Sequence, residues 1–420
     1  MTYLETCLAL LAIWVVVSGL DDLFINAAWL WGLALRRLEP SAPLSASCGR
    51  RIAILVPLWR EGEVIGKMLG HNLAAIRYPN YAVFAGAYPN DADTLAALGR
   101  VTGVHLVLCP HPGPTSKADC LNWLYRGMLA HEQTTGEHFG AVVLHDAEDV
   151  IHPEELASMD RHLDACDMVQ IPVLPLPLPP ACWTHGVYCD DFAEFHSKDL
   201  PVRQMLGGFI PGAGVGVGFS REALEKLAAR SGRPFDPDCL TEDYETGFRI
   251  HGLGRRQLFL APRVSEGRLL ATRGVFPRDF TAAVRQRARW TIGIALQSWE
   301  RHGWGRGAGQ VYWFWRDRKA ILGNLLSPVA NLLFLQLLFS GEPSWILLVP
   351  ASQVALRTWC AARIYGWIFA LGVPLRSIWG NWINGAATVC ALWRYGRARL
   401  RREPLRWIKT EHTFPEVEGV

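Results

Sequence analysis

The side chains best placed to do chemistry fall in four groups: Asp91; His145-Asp146-Ala147-Glu148-Asp149; Thr241-Glu242-Asp243; and Gln286-Arg287-Ala288-Arg289-Trp290. Asp146 and Glu148 can place oxygens on one divalent cation, and hard oxygen ligands suit Mg2+ or Mn2+. Such a cation would neutralise the charge that builds on a departing nucleotide diphosphate. A helix start or a solvated turn would look similar, and Pro153-Glu154-Glu155 does follow as a helix start would. Glu242 and Asp243 form a second carboxylate pair, suited to taking a proton from an attacking hydroxyl. The same pair would also open a helix, since YETGFRIHGLG follows with helical spacing and a glycine stop. Gln286, Arg289 and Trp290 recur at i, i+3 and i+4 and so share one helix face. The guanidinium can grip a phosphate through two bonds and the indole can cover a sugar ring. A basic amphipathic helix at a membrane surface reads the same way.

Carboxylates so far apart in sequence need a scaffold that gathers them. From Arg51 the runs IAILVP, YAVFAGAY, VHLVLCP and AVVLH read as strands, with helices over residues 62–76 and 117–130. That alternation predicts an α/β fold with a parallel sheet. Asp91 follows the second strand and Asp146 the fourth, and the carboxyl ends of such strands open onto one crevice, so the two should share a site. No GxGxxG follows the first strand and no Walker lysine loop is present, which argues against dinucleotide oxidoreductases and P-loop NTPases. The glycine-rich run 207–218 (GGFIPGAGVGVG) reads either as a flexible loop that lets backbone approach a substrate or as a structural turn.

With 42 basic against 39 acidic residues the net charge is only +3, too small a surplus for a nucleic-acid partner. The ten cysteines form no CxxC pair and no zinc spacing, so they read as reduced thiols without a function, consistent with a cytoplasmic catalytic domain.

Residues 6–20 (TCLALLAIWVVVSGL) are uncharged, Asp21-Asp22 follows, and a second apolar run stops at Arg36-Arg37. We expect a transmembrane helix over about residues 4–20, then an interfacial helix carrying Trp29 and Trp31. A cleaved signal peptide would need a basic segment before Leu4, which is absent. Residues 321–341 are uncharged and long enough to cross a bilayer; 343–375 is apolar apart from Arg357 and Arg363, and 377–393 is uncharged again. Twelve of the eighteen tryptophans lie from Trp290 onward, as in an interfacial aromatic belt. Arg36, Arg37, Arg50 and Arg51 follow the first span and Arg394, Arg397, Arg399, Arg401, Arg402 and Arg406 the last, which sets both flanks in the cytoplasm. The expected organisation is an N-terminal transmembrane and interfacial segment (1–36), a cytoplasmic catalytic domain (37–318), C-terminal transmembrane or interfacial helices (319–395) and a cytoplasmic tail (396–420).

Taken in order from Arg51 to about Trp299, these residues resemble the inverting nucleotide-sugar glycosyltransferases of family two, with a GT-A fold. Val56-Pro57-Leu58-Trp59-Arg60-Glu61 resembles the family's opening strand motif, Tyr88-Pro89-Asn90-Asp91 its nucleobase site, and Lys117-Ala118-Asp119-Cys120-Leu121-Asn122 its KAxxLN segment. Asp146-Ala147-Glu148 stands where the metal motif DAD would be, Thr241-Glu242-Asp243 matches TED, and Gln286 to Trp290 matches QxxRW. The phrases SGLDDLF, HDAEDVI and WIKTEHTFP are similar to inner-membrane members of the family.

The resemblance implies a Rossmann-like GT-A domain inserted between N-terminal and C-terminal transmembrane helices of a multi-pass protein of the bacterial inner membrane. It implies a UDP-sugar donor held by Pro57, Glu61, Asp91, Lys117, Asp119 and Asp146, with Asp91 on the uracil. Asp146 and Glu148 would hold Mg2+ or Mn2+ on the diphosphate, Asp243 would be the base with Glu242 beside it, and Gln286, Arg289 and Trp290 would line the diphosphate and acceptor end. The implied partners are a polysaccharide or lipid-linked acceptor, membrane lipids and an export partner protein. Glu148 replaces the usual second Asp, which lengthens that ligand arm, and three spans are few for a self-contained export channel. A competing reading, an inactive membrane receptor or assembly component that keeps the fold, has the complete carboxylate motifs against it.

Overall fold

A computed structural model describes residues 3–35, 49–262, 264–265, 268–340 and 348–405. Arg36, Arg37, Arg406 and the WIKTEHTFP phrase lie outside the described residues. The chain forms two compact units that interleave along the sequence.

The first unit is built on a seven-stranded sheet. Its aliphatic runs become β1 (Ile52–Pro57), β2 (Tyr81–Ala87), β3 (Val104–Leu108) and β4 (Ala141–Leu144). β1 pairs in parallel with β2 and β4, and β2 with β3, as expected. β1, β2 and β4 are buried almost throughout, which is why they are apolar at nearly every position instead of alternating. The other half of the sheet was not foreseen. β5 (Met168–Gln170), β6 (Val173–Pro175), β7 (Val217–Ser220) and β8 (Gln257–Phe259) are three or four residues long. The order is β3-β2-β1-β4-β7-β5-β8, with β7 antiparallel to both neighbours, while β6 pairs with Thr272–Gly274. The end of the glycine run is therefore neither loop nor turn: Val217 and Gly218 lie inside a buried strand. Ile54, Val56, Val143, Leu156, Met159 and Val169 form the centre of the core, each fully buried side chain contributing ~1.5–3 kcal/mol before entropy is counted.

Register matters for function. Pro57 pairs opposite Gly86 and Leu55 opposite Leu144, so the carboxyl ends of β1, β2 and β4 reach one edge of the sheet. Glu61, Asp91 and Asp146 all follow those ends.

The second unit is helical and gathers Pro177–Gly208 and Phe276–Leu405 with the N-terminal helix. That helix runs unbroken over Tyr3–Ala34, which corrects the expected break after residue 20. Asp21 and Asp22 do not end it because Arg316 and Lys319 neutralise them, with Arg316 2.7 Å and Lys319 2.6 Å from Asp21, and Lys319 2.7 Å from Asp22. Trp29 is not an interfacial side chain: it is buried, donates its indole N–H to the Ser197 carbonyl at 3.0 Å and meets Trp359 edge to face. Trp31 is 63% exposed. Among the described residues one helix, Leu11–Ala34, is long and apolar enough to cross a membrane, with mean hydropathy 1.6 over 24 residues.

The C-terminal third supplies the long helices Ala308–Ser340, Leu348–Tyr365 and Val373–Arg401. Asn324 donates to Thr388 at 3.1 Å and Asn381 to Asn331 at 3.0 Å, tying the first to the last. The helix Trp183–Glu194 carries Asp190, Asp191 and Glu194, which meet arginines of the C-terminal helices: Arg376 on Asp190 at 2.7 Å, and Arg357 on Asp191 at 2.9 Å and Glu194 at 2.6 Å.

Candidate active site

Asp91 caps the short helix Ala92–Leu98 and is buried. One of its oxygens accepts the Arg60 N–H at 2.6 Å and the other the Thr94 N–H at 3.4 Å. Arg60 adopts φ 56, a conformation disfavoured for a residue with a Cβ, and the bond to Asp91 helps hold it there. Each carboxylate oxygen has a second lone pair, so capping leaves Asp91 able to accept from a ligand. Around it, Glu61 donates its backbone N–H to Thr94 at 2.9 Å, Tyr88 shares a 2.5 Å hydrogen bond with Thr115, and Asn90 and Gly113 exchange two bonds of 2.8 Å. Asp119 lies 3.3 Å from the His111 imidazole. Pro57, Glu61 and Asp91 thus belong to one edge of the sheet, with Asp119 in the first turn of the next long helix.

That helix, Lys117–Thr135, opens with a lysine just after its Ser116 cap. A cation at the positive end of a helix is ordinarily unfavourable. Here carboxylates hold it: the ammonium lies 2.6 Å from Asp146 Oδ1 and donates to the Gly214 carbonyl at 3.1 Å. Burial alone would push the Lys117 pKa down, but Asp146, Glu242 and Asp243 together hold it above the ordinary lysine value. Glu242 and Asp243 open the helix Glu242–Gly252, so the helix-start reading of that motif is correct, and both carboxylates also act on Lys117. Gly214 has φ +81 and sits between these groups: a Cβ there would lie 3.1 Å from Asp243 Oδ2 and 3.4 Å from Lys117 Nζ. A glycine is the residue that both this conformation and this closeness allow. Four side chains from three distant stretches, Lys117, Asp146, Glu242 and Asp243, are therefore gathered at one place.

The turn that carries Asp146 is braced from beneath. Asp149 accepts the Asp146 N–H at 2.9 Å and shares a 3.0 Å hydrogen bond with His145 Nδ1. The other imidazole nitrogen lies 2.9 Å from Glu155, which in turn accepts Thr272 Oγ1 at 3.2 Å. His145, Asp149 and Glu155 are buried. Burial would lower the His145 pKa, but the two carboxylates outweigh it and raise it to about 10, while burial pushes Asp149 upward. His145 is thus a buried imidazolium at neutral pH. A group whose folded pKa exceeds its unfolded value of ~6.5 stabilises the fold fully below that value and loses the contribution as pH rises through the folded pKa. The raised Asp149 adds a loss of the same sign, beginning at lower pH, above its unfolded value of 3.8. The apparent melting midpoint should fall between pH ~6.5 and about 10, and Glu155→Gln should flatten that slope. A wild-type midpoint constant across this range would show that His145 carries no such linkage.

Asp146 and Glu148 stand two residues apart on this turn, with the Asp146 side chain 29% exposed. Their hard oxygens fit Mg2+ or Mn2+ in kind. A further group, not foreseen, brings one ligand atom each from Asp236, Cys239 and Glu245 within 4.8 Å of one another. Arg249 lies among them and already supplies positive charge to that group.

Gln286, Arg289 and Trp290 belong to the helical unit, on the helix Phe280–Trp290, which continues into the wider winding of Thr291–Gln297. Trp290 packs against Tyr188 and Phe192 with ring centroids 6.0 and 6.2 Å away. Gln286 Oε1 and Arg289 Nε are buried without hydrogen-bond partners among the described residues. Arg287 between them, not singled out from sequence, anchors the helix by bonds to Asp191 at 2.8 Å and Asn384 at 2.7 Å and by lying 4.3 Å above the Tyr188 ring.

Comparison with known proteins gives this arrangement a context. The profile of the glycosyltransferase-like family 2 matches residues 50–293. Bacteriophage adsorption protein B of Escherichia coli K12 and bacteriophage N4 adsorption protein B of Escherichia coli O157:H7 are each 36% identical over 466 aligned positions, covering 97% of this chain. The chain spans 62% of the length of those relatives. Among solved structures, the mannosyltransferase PcManGT of Pyrobaculum calidifontis, in complex with GDP-Man and Mn2+, superposes with TM-score 0.57 at 17% identity, covering 91% of this chain and 98% of that one.

Proposed function

We propose, since the chain belongs to the glycosyltransferase-like family 2, a family of nucleotide-sugar glycosyltransferases, that it is a membrane-anchored inverting enzyme that moves a sugar from a UDP-sugar to an acceptor hydroxyl. The acceptor is a growing polysaccharide or a lipid-linked sugar. The observation that carries this reading is the meeting of Lys117, Asp146, Glu242 and Asp243 about Gly214. Asp243 takes the proton from the acceptor hydroxyl as its oxygen attacks the anomeric carbon, and the bond from that carbon to the UDP oxygen breaks on the opposite face. One displacement inverts the anomeric configuration. Asp91, with Pro57, Glu61 and Asp119, holds the nucleoside, and Glu242 supports Asp243. Gln286, Arg289 and Trp290 serve the diphosphate and acceptor end. A bound Mg2+ or Mn2+, held by Asp146 and Glu148, would offset the charge on the leaving diphosphate.

The apolar N-terminal helix anchors the protein in a bacterial inner membrane, residues 321–340 and 377–393 add further crossings, and the catalytic unit faces the cytoplasm. An export partner carries the product onward. The likeness to the adsorption proteins over both flanks supports the membrane setting, and a fold shared with a GDP-Man and Mn2+ complex supports the nucleotide-sugar and metal chemistry.

The test is a screen of UDP-sugars, with GDP-mannose as the competing donor, for Mn2+-dependent hydrolysis or transfer by the full chain in detergent. We expect turnover of a UDP-sugar that EDTA abolishes and that Asp146→Asn lowers by ~10²–10³-fold, the usual cost of losing one charge-stabilising contact. Turnover of GDP-mannose alone would replace the donor. Undiminished turnover in Asp146→Asn would remove that residue from the diphosphate.

A further inference from the structure

The ammonium of Lys117 stands on the very carboxylate to which the proposed reading assigns a divalent cation. Its nitrogen is 2.6 Å from Asp146 Oδ1. It is also fastened on a second side, by the Gly214 carbonyl at 3.1 Å, so it is held in the site and not merely near it. The backbone at Gly214 leaves no room for another side chain between Lys117 and Asp243. Three carboxylates, Asp146, Glu242 and Asp243, face one ammonium, so negative charge is in excess. Removing the ammonium enlarges that excess, and adding a divalent cation beside the ammonium sets two cations against one Asp146 oxygen. Mg2+ seats at ~2.0–2.1 Å from an oxygen ligand, closer than the ammonium, so the two compete for the same lone pairs.

We propose that Lys117 is an internal counter-ion that blocks the divalent cation until a nucleotide diphosphate arrives and takes over the ammonium. The inference rests on the glycosyltransferase reading and deepens it. In the free enzyme Lys117 satisfies Asp146 and keeps a site of like charges from repelling itself apart. A diphosphate offers the ammonium oxygens of equal or greater charge. Lys117 turns to them, and Asp146 is released to the metal. Metal and nucleotide then bind as linked events, each raising the other's affinity by the same factor. Lys117 is in this sense a positioning residue for the cation, besides touching the donor.

The experiment measures Mn2+ binding to the full chain in detergent by the loss of the free-ion electron paramagnetic resonance signal, with and without UDP. Wild type should bind Mn2+ weakly alone and at least tenfold more tightly with UDP. Lys117→Met should bind Mn2+ alone at least tenfold more tightly than wild type, and UDP should add little. Lys117→Arg, which keeps the charge, should behave like wild type and controls for any loss of folding in the methionine variant. If Lys117→Met and wild type bind Mn2+ equally in the absence of UDP, the counter-ion role is overturned while Asp146 remains a ligand. If Asp146→Asn binds Mn2+ with UDP as well as wild type does, Asp146 is not a ligand, and both the inference and that part of the functional reading fall.

Discussion

Asp243→Asn is expected to bind donor as wild type does and to lose transfer by ~10²–10⁴-fold. The amide has the shape of the carboxylate and can still accept the Tyr244 N–H, which now bonds Asp243 Oδ1 at 2.8 Å, so the start of the helix Glu242–Gly252 keeps its geometry. What it lacks is the capacity to take a proton. The loss should therefore fall on kcat, with the donor KM and UDP affinity nearly unchanged. Transfer rates with radiolabelled donor, alongside UDP titration, separate these outcomes. Retained turnover would remove Asp243 from the role of base and make Glu242, its buried neighbour, the carboxylate to examine.

The second large effect concerns folding. Arg376→Met should destabilise the protein by ~3–5 kcal/mol, because it leaves Asp190 as an uncompensated buried charge. The pair is bidentate, at 2.7 and 2.8 Å, and its side chains are 8% and 2% exposed. Arg376 also donates to the Phe369 carbonyl at 3.0 Å, and its stem lies against Gly186, where a Cβ would be only 2.7 Å from Arg376 Cδ. The apparent melting temperature in detergent reports the loss. Adding Asp190→Leu should recover most of it, since an apolar pair of similar volume avoids the desolvation cost of both ions. A single variant that melts with wild type would mean that water reaches Asp190.

How much of this was legible beforehand depends on the physics of each segment. Three of the four parallel strands, β1, β2 and β4, could be read because burial on both faces demands runs such as IAILVP and AVVL, which few other structures require. β7 could not: its sequence VGFS carries Gly218, where a Cβ would lie 3.0 Å from Met159 Sδ, and a glycine in a four-residue run reads as a loop. The helix Trp183–Glu194 escaped for a different reason. Asp190, Asp191 and Glu194 look like a solvated face until Arg357 and Arg376, more than 160 residues away, are placed against them. The first helix was read as two because Asp21 and Asp22 are charged, and only the distant Arg316 and Lys319 make those charges compatible with a continuous helix.

Within the candidate active site, the order of motifs pointed to Asp146 and Asp243, and both act on Lys117. His145 and Glu155 carry no such signal, because nothing in HDAEDVIHPEE announces that its first histidine will be clamped between two carboxylates with no solvent on it. Lys117 was assigned to the donor, but its hold on Asp146 is a tertiary fact that spacing alone does not carry.

The stretch 177–208 interrupts the sheet unit in sequence and finds its partners in helices from both ends of the chain. Lys198 donates to Asn26 and Glu194, Arg203 pairs with Asp317, and Glu194 needs Arg357. Trimming the gene to the span 50–293 would therefore not yield a water-soluble catalytic fragment. It would deliver a polypeptide whose inserted helix exposes orphaned ions and aromatic rings to solvent, a recipe for inclusion bodies. The helices on either side of the span 50–293 belong to the same compact unit as the stretch 177–208.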